Sequence, residues 1–227
     1  MMKTKLLFPT PVWVEDDCGV DLERINNWVK IVKETDPKGR TASNDGGWQS
    51  QDFVPPYIRD DHALTELYDR ILAISYQACD EWGFQHYILE VSNLWMNVNT
   101  RGNYNHVHTH AGSILSGVFY AKVPPCCSGD LKFLRSFNDQ NLKESWGCDP
   151  NFERYEHINE TEHYHSPKEN QMVIFPAWLP HSVDKSSSDD ERISLSFNLH
   201  VFSKIYQDNE VYPSRKSINP DVPLKVI

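Results

Sequence analysis

The sequence predicts a mainly β fold with N-terminal helices, built as an antiparallel two-sheet barrel, and three observations predict it. From residue 86 the chain breaks into short β-branched and aromatic runs, among them S-I-L-S-G-V-F-Y-A-K-V, Q-M-V-I-F and R-I-S-L-S-F-N-L-H-V-F, punctuated by Gly, Pro, Asn and Ser. Their spacing is irregular and no strand–helix–strand rhythm separates them, which argues against a parallel sheet. Ahead of them lie two stretches with apolar residues at helical spacing.

The first helix is expected over residues 21–35, where Leu22, Ile25, Trp28, Val29 and Val32 share a face and Asp21 can cap the start. A second is expected over 61–82, on Leu64, Leu67, Ile71, Ile74 and Ala78. Between them S-N-D-G-G-W-Q-S-Q-D is dense in turn formers and reads as a loop. Residues 135–170 interrupt the strands with polar and charged residues, and so long a stretch inside a domain reads as a functional loop or lid. Trp146, Phe152 and Tyr155 would be its substrate-reading side chains. The expected organisation is one domain over 1–227: helical support in 1–85, a barrel core in 86–205 holding the 135–170 insertion, and a tail in 206–227.

Composition narrows the function classes. A chain with 39% hydrophobic residues and 12% aromatics can bury a core, and a net charge of −10 repels nucleic acid and anionic lipid. Five cysteines, an odd number with no C-x-x-C, suit a reducing compartment better than a disulfide framework. Two prolines break the N-terminal apolar stretch before a signal-peptide core forms, and no apolar run approaches the ~20 residues a membrane span needs. These features predict a cytoplasmic protein with no membrane and no nucleic-acid partner, and a homodimer is the default assembly for this size.

The chemistry concentrates in N-H-V-H-T-H-A-G, which places His106, His108 and His110 at alternate positions. Alternate strand residues share a face at steps of roughly 6.6 Å, so two of these imidazoles can converge on a cation where the strand bends. Ala111-Gly112 puts that bend at His110. A further ligand must come from elsewhere, and His181 in M-V-I-F-P-A-W-L-P-H-S-V follows a buried-looking strand. Eleven residues on stands Arg192, inside an apolar run, with Ser194 on the same face. A buried guanidinium is costly without a counter-anion, and its planar fork suits a carboxylate. Metal ligands beside an inward Arg-x-Ser describe a site for a chelating, carboxylate-bearing small molecule. His157, His163 and His165 read as solvated residues of a charged loop, and Cys126-Cys127 as a turn.

Several segments in their order and spacing resemble one family: L-F-P-T-P, S-N-D-G-G-W-Q-S, Y-N-H-V-H-T-H-A-G-S-I-L-S-G-V-F-Y, I-F-P-A-W-L-P-H-S-V and E-R-I-S-L-S-F-N. The chain looks like an Fe(II)/2-oxoglutarate-dependent oxygenase of the prolyl 4-hydroxylase-like group of bacteria and tailed phages. The resemblance implies a double-stranded β-helix, a jelly-roll or cupin-like barrel with a metal at its mouth. It implies His108 and His181 as metal ligands, and Arg192 with Ser194 and Tyr120 as the anchor of the far carboxylate of 2-oxoglutarate, Asn97 serving its other end. The cofactors would be Fe(II), 2-oxoglutarate and O2, with ascorbate as an auxiliary reductant, and the reaction a hydroxylation releasing succinate and CO2. The substrate would be a small molecule or a peptidyl side chain, met in the host cytoplasm if a phage encodes the chain. The departure is His110, which stands where the family carries a carboxylate. With His110 as a third imidazole the expected metal ligands are His108, His110 and His181; the alternative pair His106 and His108 gives the same three-histidine composition but moves the site away from the Ala-Gly-Ser turn. Two other readings share these residues: a three-histidine cupin-like dioxygenase whose substrate carries the carboxylate for Arg192, and a metal-stabilised jelly-roll binding protein without activity.

Overall fold

A computed structural model describes residues 3, 5–54, 62–84, 87–126, 128–135 and 159–203 of the chain. Its elements are β1 (Trp13–Glu15), α1 (Leu22–Thr35), β2 (Asn44–Asp45), β3 (Trp48–Gln49), α2 (His62–Glu81), β4 (Tyr87–Asn99), β5 (Tyr104–His108), β6 (Leu115–Lys122), β7 (Leu131–Leu134), β8 (Glu162–His165), β9 (Met172–Pro176), β10 (His181–Val183) and β11 (Arg192–Ser203). Asp21 caps α1 as its sequence position predicts, accepting from Arg24 N at 3.1 Å. Among the described residues no helix is long and apolar enough to cross a membrane.

The strands form two antiparallel sheets, in the orders β1-β9-β6-β11-β4-β3 and β2-β5-β10-β7-β8, and the fold is a double-stranded β-helix fronted by two helices. Alternation along the central strands of the larger sheet sorts its two faces. Leu94, Met96, Val98, Phe119, Leu195 and Phe197 point to one side, where they pack with Ile25 and Val29 of α1 and Leu64, Leu67 and Ile71 of α2. Val118, Tyr120, Val173 and Phe175 point to the other, into the barrel, against Leu131, Phe133 and Leu179. Polar residues of β4 and β11 share this inner face, and they supply half of the site described below.

Gly117 of β6 sits where no side chain fits. A Cβ there would lie 2.3 Å from Phe197 Cζ and 2.9 Å from the Val173 carbonyl oxygen, and Phe197 is fully buried. Gly117→Ala is expected to cost about 1–3 kcal/mol through overpacking. Chemical denaturation should show a lowered midpoint with an unchanged slope.

Two segments differ from the sequence expectation. The S-N-D-G-G-W-Q-S stretch is not all loop: β2 pairs with β5 and β3 pairs with β4, each extending a sheet by two residues. Asn44 fixes this junction, donating to Asn99 Oδ1 at 3.3 Å and accepting from Asn99 Nδ2 at 2.7 Å. Within 135–170, Glu162–His165 is an edge strand paired to β7, so His163 and His165 lie on a strand and not in a loop. His163 faces Glu160 at 3.1 Å, and His165 meets Gln171 Oε1 at 2.8 Å. Residues 136–158, with Trp146, Cys148, Phe152, Tyr155 and His157, lie outside the described residues, as do Cys127 and the 206–227 tail.

Candidate metal centre

β5 and β10 run antiparallel with His108 opposite His181, which sets two imidazoles side by side on the barrel face. His110 follows β5, where its backbone N–H donates to the Ala177 carbonyl at 2.9 Å and the chain turns through Gly112 at φ +85°. The three rings have centroids 4.4 Å (His108–His181), 5.0 Å (His108–His110) and 5.0 Å (His110–His181) apart. One nitrogen from each lies within 4.8 Å of the others.

Backbone carbonyls orient two of the rings. His108 Nδ1 lies 2.7 Å from the His106 carbonyl and His181 Nδ1 lies 2.9 Å from the Leu179 carbonyl. A carbonyl only accepts, so each Nδ1 carries the proton and each Nε2 presents its lone pair. His110 Nε2 lies 3.2 Å from His181 Nε2. Two imidazole nitrogens bound to one divalent cation at ~2.1 Å would stand ~3.0–3.4 Å apart for ligand angles between octahedral and tetrahedral, so the donor set fits a borderline transition metal. Burial, then the neighbouring imidazole of His108, holds His181 down to about 3 and His110 down to about 4. Burial lowers His108 as well. All three rings are therefore neutral, as ligation requires.

His106 stands outside this cluster. The pairing of β5 with β10 shifts register, since Val183 faces Asn105 while His181 faces His108. The extra residue on β5 breaks strict alternation, so Asn105 and His108 both line the inner cavity. His106 turns outward to Asp45, with Nε2 3.3 Å from the carboxylate and its ring against Tyr104.

The far end of the same cavity is built from β11, β4 and β6. Arg192 opposes Asn99, and Ser194 sits between Asn97 and Tyr120 on the neighbouring strands. Asn97, Tyr120, Arg192, Ser194 and the three clustered histidines all line this one cavity. Arg192 is 2% exposed, and its Nη1 donates to the Ser128 and Gly129 carbonyls at 2.9 Å each. Among the described residues no carboxylate pairs with it, and its Nε has no partner. Two of the three acidic residues just before it are engaged elsewhere, Asp189 with Arg101 and Glu191 with Lys33. Gly129 leaves the space this guanidinium needs, for a Cβ there would lie 3.3 Å from Arg192 Nη1 and 2.2 Å from the Asp184 carbonyl oxygen. Burial raises the Tyr120 phenol to about 12, keeping it a neutral hydroxyl. Asn97 Oδ1 is buried without a partner among the described residues.

Sequence reasoning missed Trp95, which also lines the cavity and packs on His110 with ring centroids 5.7 Å apart. The signal was present: Trp95 stands two before Asn97 on one strand and must share its face. Residues 93–198 match the model of the family described as "Putative 2OG-Fe(II) oxygenase". No curated protein sequence matches the chain. Among solved structures, a Pseudomonas putida prolyl-4-hydroxylase aligns at 12% identity and TM-score 0.55, covering 84% of this chain and 92% of its own. HygX from Streptomyces hygroscopicus, solved with nickel and 2-oxoglutarate bound, aligns at 10% identity and TM-score 0.53, over 84% of this chain and 83% of its own. A Trichoplax adhaerens prolyl hydroxylase, in complex with a hypoxia inducible factor peptide fragment, aligns at 12% and 0.55, over 88% and 87%. At such identities the structural likeness speaks for the fold.

Proposed function

We infer that this chain, whose residues 93–198 match the 2OG-Fe(II) oxygenase family model, is such an oxygenase and binds iron(II) through His108, His110 and His181 and 2-oxoglutarate through Arg192. One observation carries the reading: a cluster of neutral imidazoles and a buried guanidinium that no carboxylate among the described residues compensates share a single cavity. A dianionic chelator satisfies both, giving its keto-acid end to the metal and its far carboxylate to the fork of Arg192. Ser194 and the Tyr120 hydroxyl add donors beside that carboxylate, and Asn97 offers its amide nearer the metal end. With iron, 2-oxoglutarate and oxygen bound, the centre supplies oxidation of a substrate C–H bond with succinate and CO2 as co-products.

The protein's part is to hold and to exclude. The carbonyls of His106 and Leu179 keep two Nε2 lone pairs aimed at one point, and the buried apolar walls at Val118, Leu131 and Phe175 keep bulk water away. No residue in the cavity is required as a nucleophile. The substrate is a small molecule or a peptidyl side chain reaching the metal through the barrel mouth.

Anaerobic titration of the Fe(II)-loaded protein with 2-oxoglutarate tests the reading, through the weak visible charge-transfer absorption of an iron-bound keto acid. A saturable band at one equivalent is expected. Stoichiometric iron without a band would overturn the co-substrate assignment, leaving Arg192 for a substrate's own carboxylate. Absence of stoichiometric iron would overturn the metal assignment.

A further inference from the structure

The three imidazoles are not held alike. His108 and His181 each donate through Nδ1 to a backbone carbonyl. Among the described residues, His110 has no such lock: its ring makes no hydrogen bond to a backbone carbonyl and lies against the other two imidazoles and Trp95. Yet His110 occupies the position where the resemblance leads one to expect a carboxylate, so its ring must be brought into line by something else.

Trp95 is itself fixed by the edge strand β3 and the loop before it. The indole is 7% exposed, and with the Gln49 amide turned to satisfy its neighbours, Gln49 Oε1 accepts from Trp95 Nε1 at 3.2 Å and from Arg40 Nη2 at 3.1 Å. Gln49 is 2% exposed and lies on β3, beside β4. The Arg40 guanidinium carbon stands 5.7 Å from the Trp95 ring centroid, and Arg40 is tied down at both ends, by its N–H to the Gln49 carbonyl at 2.8 Å and by its guanidinium to Asp52. An indole with its N–H bonded and a cation against its ring has one orientation. The loop and short strand ahead of the barrel thus make a brace that ends on His110.

We propose that Trp95, fixed by Gln49 and Arg40, is the positioning residue of the third ligand, standing in for the missing backbone lock on His110. This rests on the metal reading above. The brace explains why a chain using an imidazole in this place also carries an aromatic wall two residues before Asn97. A plane of carbon atoms limits rotation of the ring without competing for its ligating lone pair, whereas a polar neighbour would compete.

The test uses the whole chain with Co(II) alone as probe, under anaerobic conditions, and reads the visible ligand-field spectrum and the Kd by chelator competition. Trp95→Leu is expected to weaken Co(II) binding about tenfold and to alter the band, and Trp95→Phe to hold both within about twofold, because a ring remains against His110. Gln49→Leu frees the indole and should fall between them. A purely structural Trp95 would lower the melting temperature and leave the Co(II) spectrum untouched. Wild-type affinity and spectrum in Trp95→Leu would overturn the proposal; if that variant does not fold, the same result in Gln49→Leu overturns it. Failure of the wild type to bind Co(II) sinks the metal reading instead, so the two failures are told apart.

Discussion

Replacing Arg192 by methionine is expected to raise the Kd for 2-oxoglutarate by about a hundredfold or more while leaving the ligand-free protein nearly as stable as before. The first part follows from truncating one member of a buried charge pair, which costs ~2–5 kcal/mol in a desolvated site. The second follows from two terms of similar size. An effectively unpaired buried cation costs several kcal/mol to desolvate, and methionine removes that cost. Methionine also removes two charge-assisted hydrogen bonds to the Ser128 and Gly129 carbonyls, each worth roughly 1.5–3 kcal/mol. The near cancellation is the signature of a residue kept for a ligand. Melting temperatures with and without 2-oxoglutarate, on metal-loaded protein, make the check: at a hundred times Kd the wild type should gain about 2.7 kcal/mol and the variant almost nothing. A variant unstable without ligand, yet still stabilised by 2-oxoglutarate, would make Arg192 a structural residue and move the carboxylate elsewhere.

The same contrast between local and long-range information decides what the sequence discloses. Both helices were legible because their apolar spacing and the Asp21 cap are local properties. The barrel's inner and outer faces could be read from alternation in β6, β9 and β11. β2 and β3 were not legible, since two residues carry no period; they are strands only because β4 and β5 offer them edges. β8 was hidden for another reason: E-H-Y-H sits on a sheet edge, with three of its four residues exposed, so no apolar pattern announces it. In the site, Arg192 stood out because a guanidinium in an apolar strand demands a partner. His181 stood out because it closes a buried run. The choice of His110 over His106 rested on the Ala111-Gly112 bend alone; what turns His106 outward is a register shift against β10, over 70 positions away in the chain, which residues 105–112 do not disclose. Trp95 was legible by alternation but not by chemistry, because its role depends on Gln49 of the edge strand β3 and on Arg40 in the loop before it, both distant in sequence.

That register shift leads to the largest expected effect. His181→Ala should weaken divalent metal binding by about a hundredfold to a thousandfold: site energies of ~10–16 kcal/mol spread over four ligands give ~2.5–4 kcal/mol for each. His181 is also the most deeply buried of the three, at 4% exposed, with His108 across the strand pair and His110 Nε2 at 3.2 Å. His106→Ala should leave affinity unchanged, since that ring faces Asp45 and solvent. His110→Asp separates composition from position. It replaces a neutral nitrogen donor with a charged oxygen donor, so the balance should move toward Mn(II) and away from Co(II), against the wild-type order. The two dissociation constants, measured by competition for all four proteins, read the His181 and His106 effects, and their ratio reads the effect at residue 110. An aspartate at 110 that leaves the ratio where it was would mean that residue 110 does not touch the metal, and the ligand set would have to be redrawn around His108 and His181 alone.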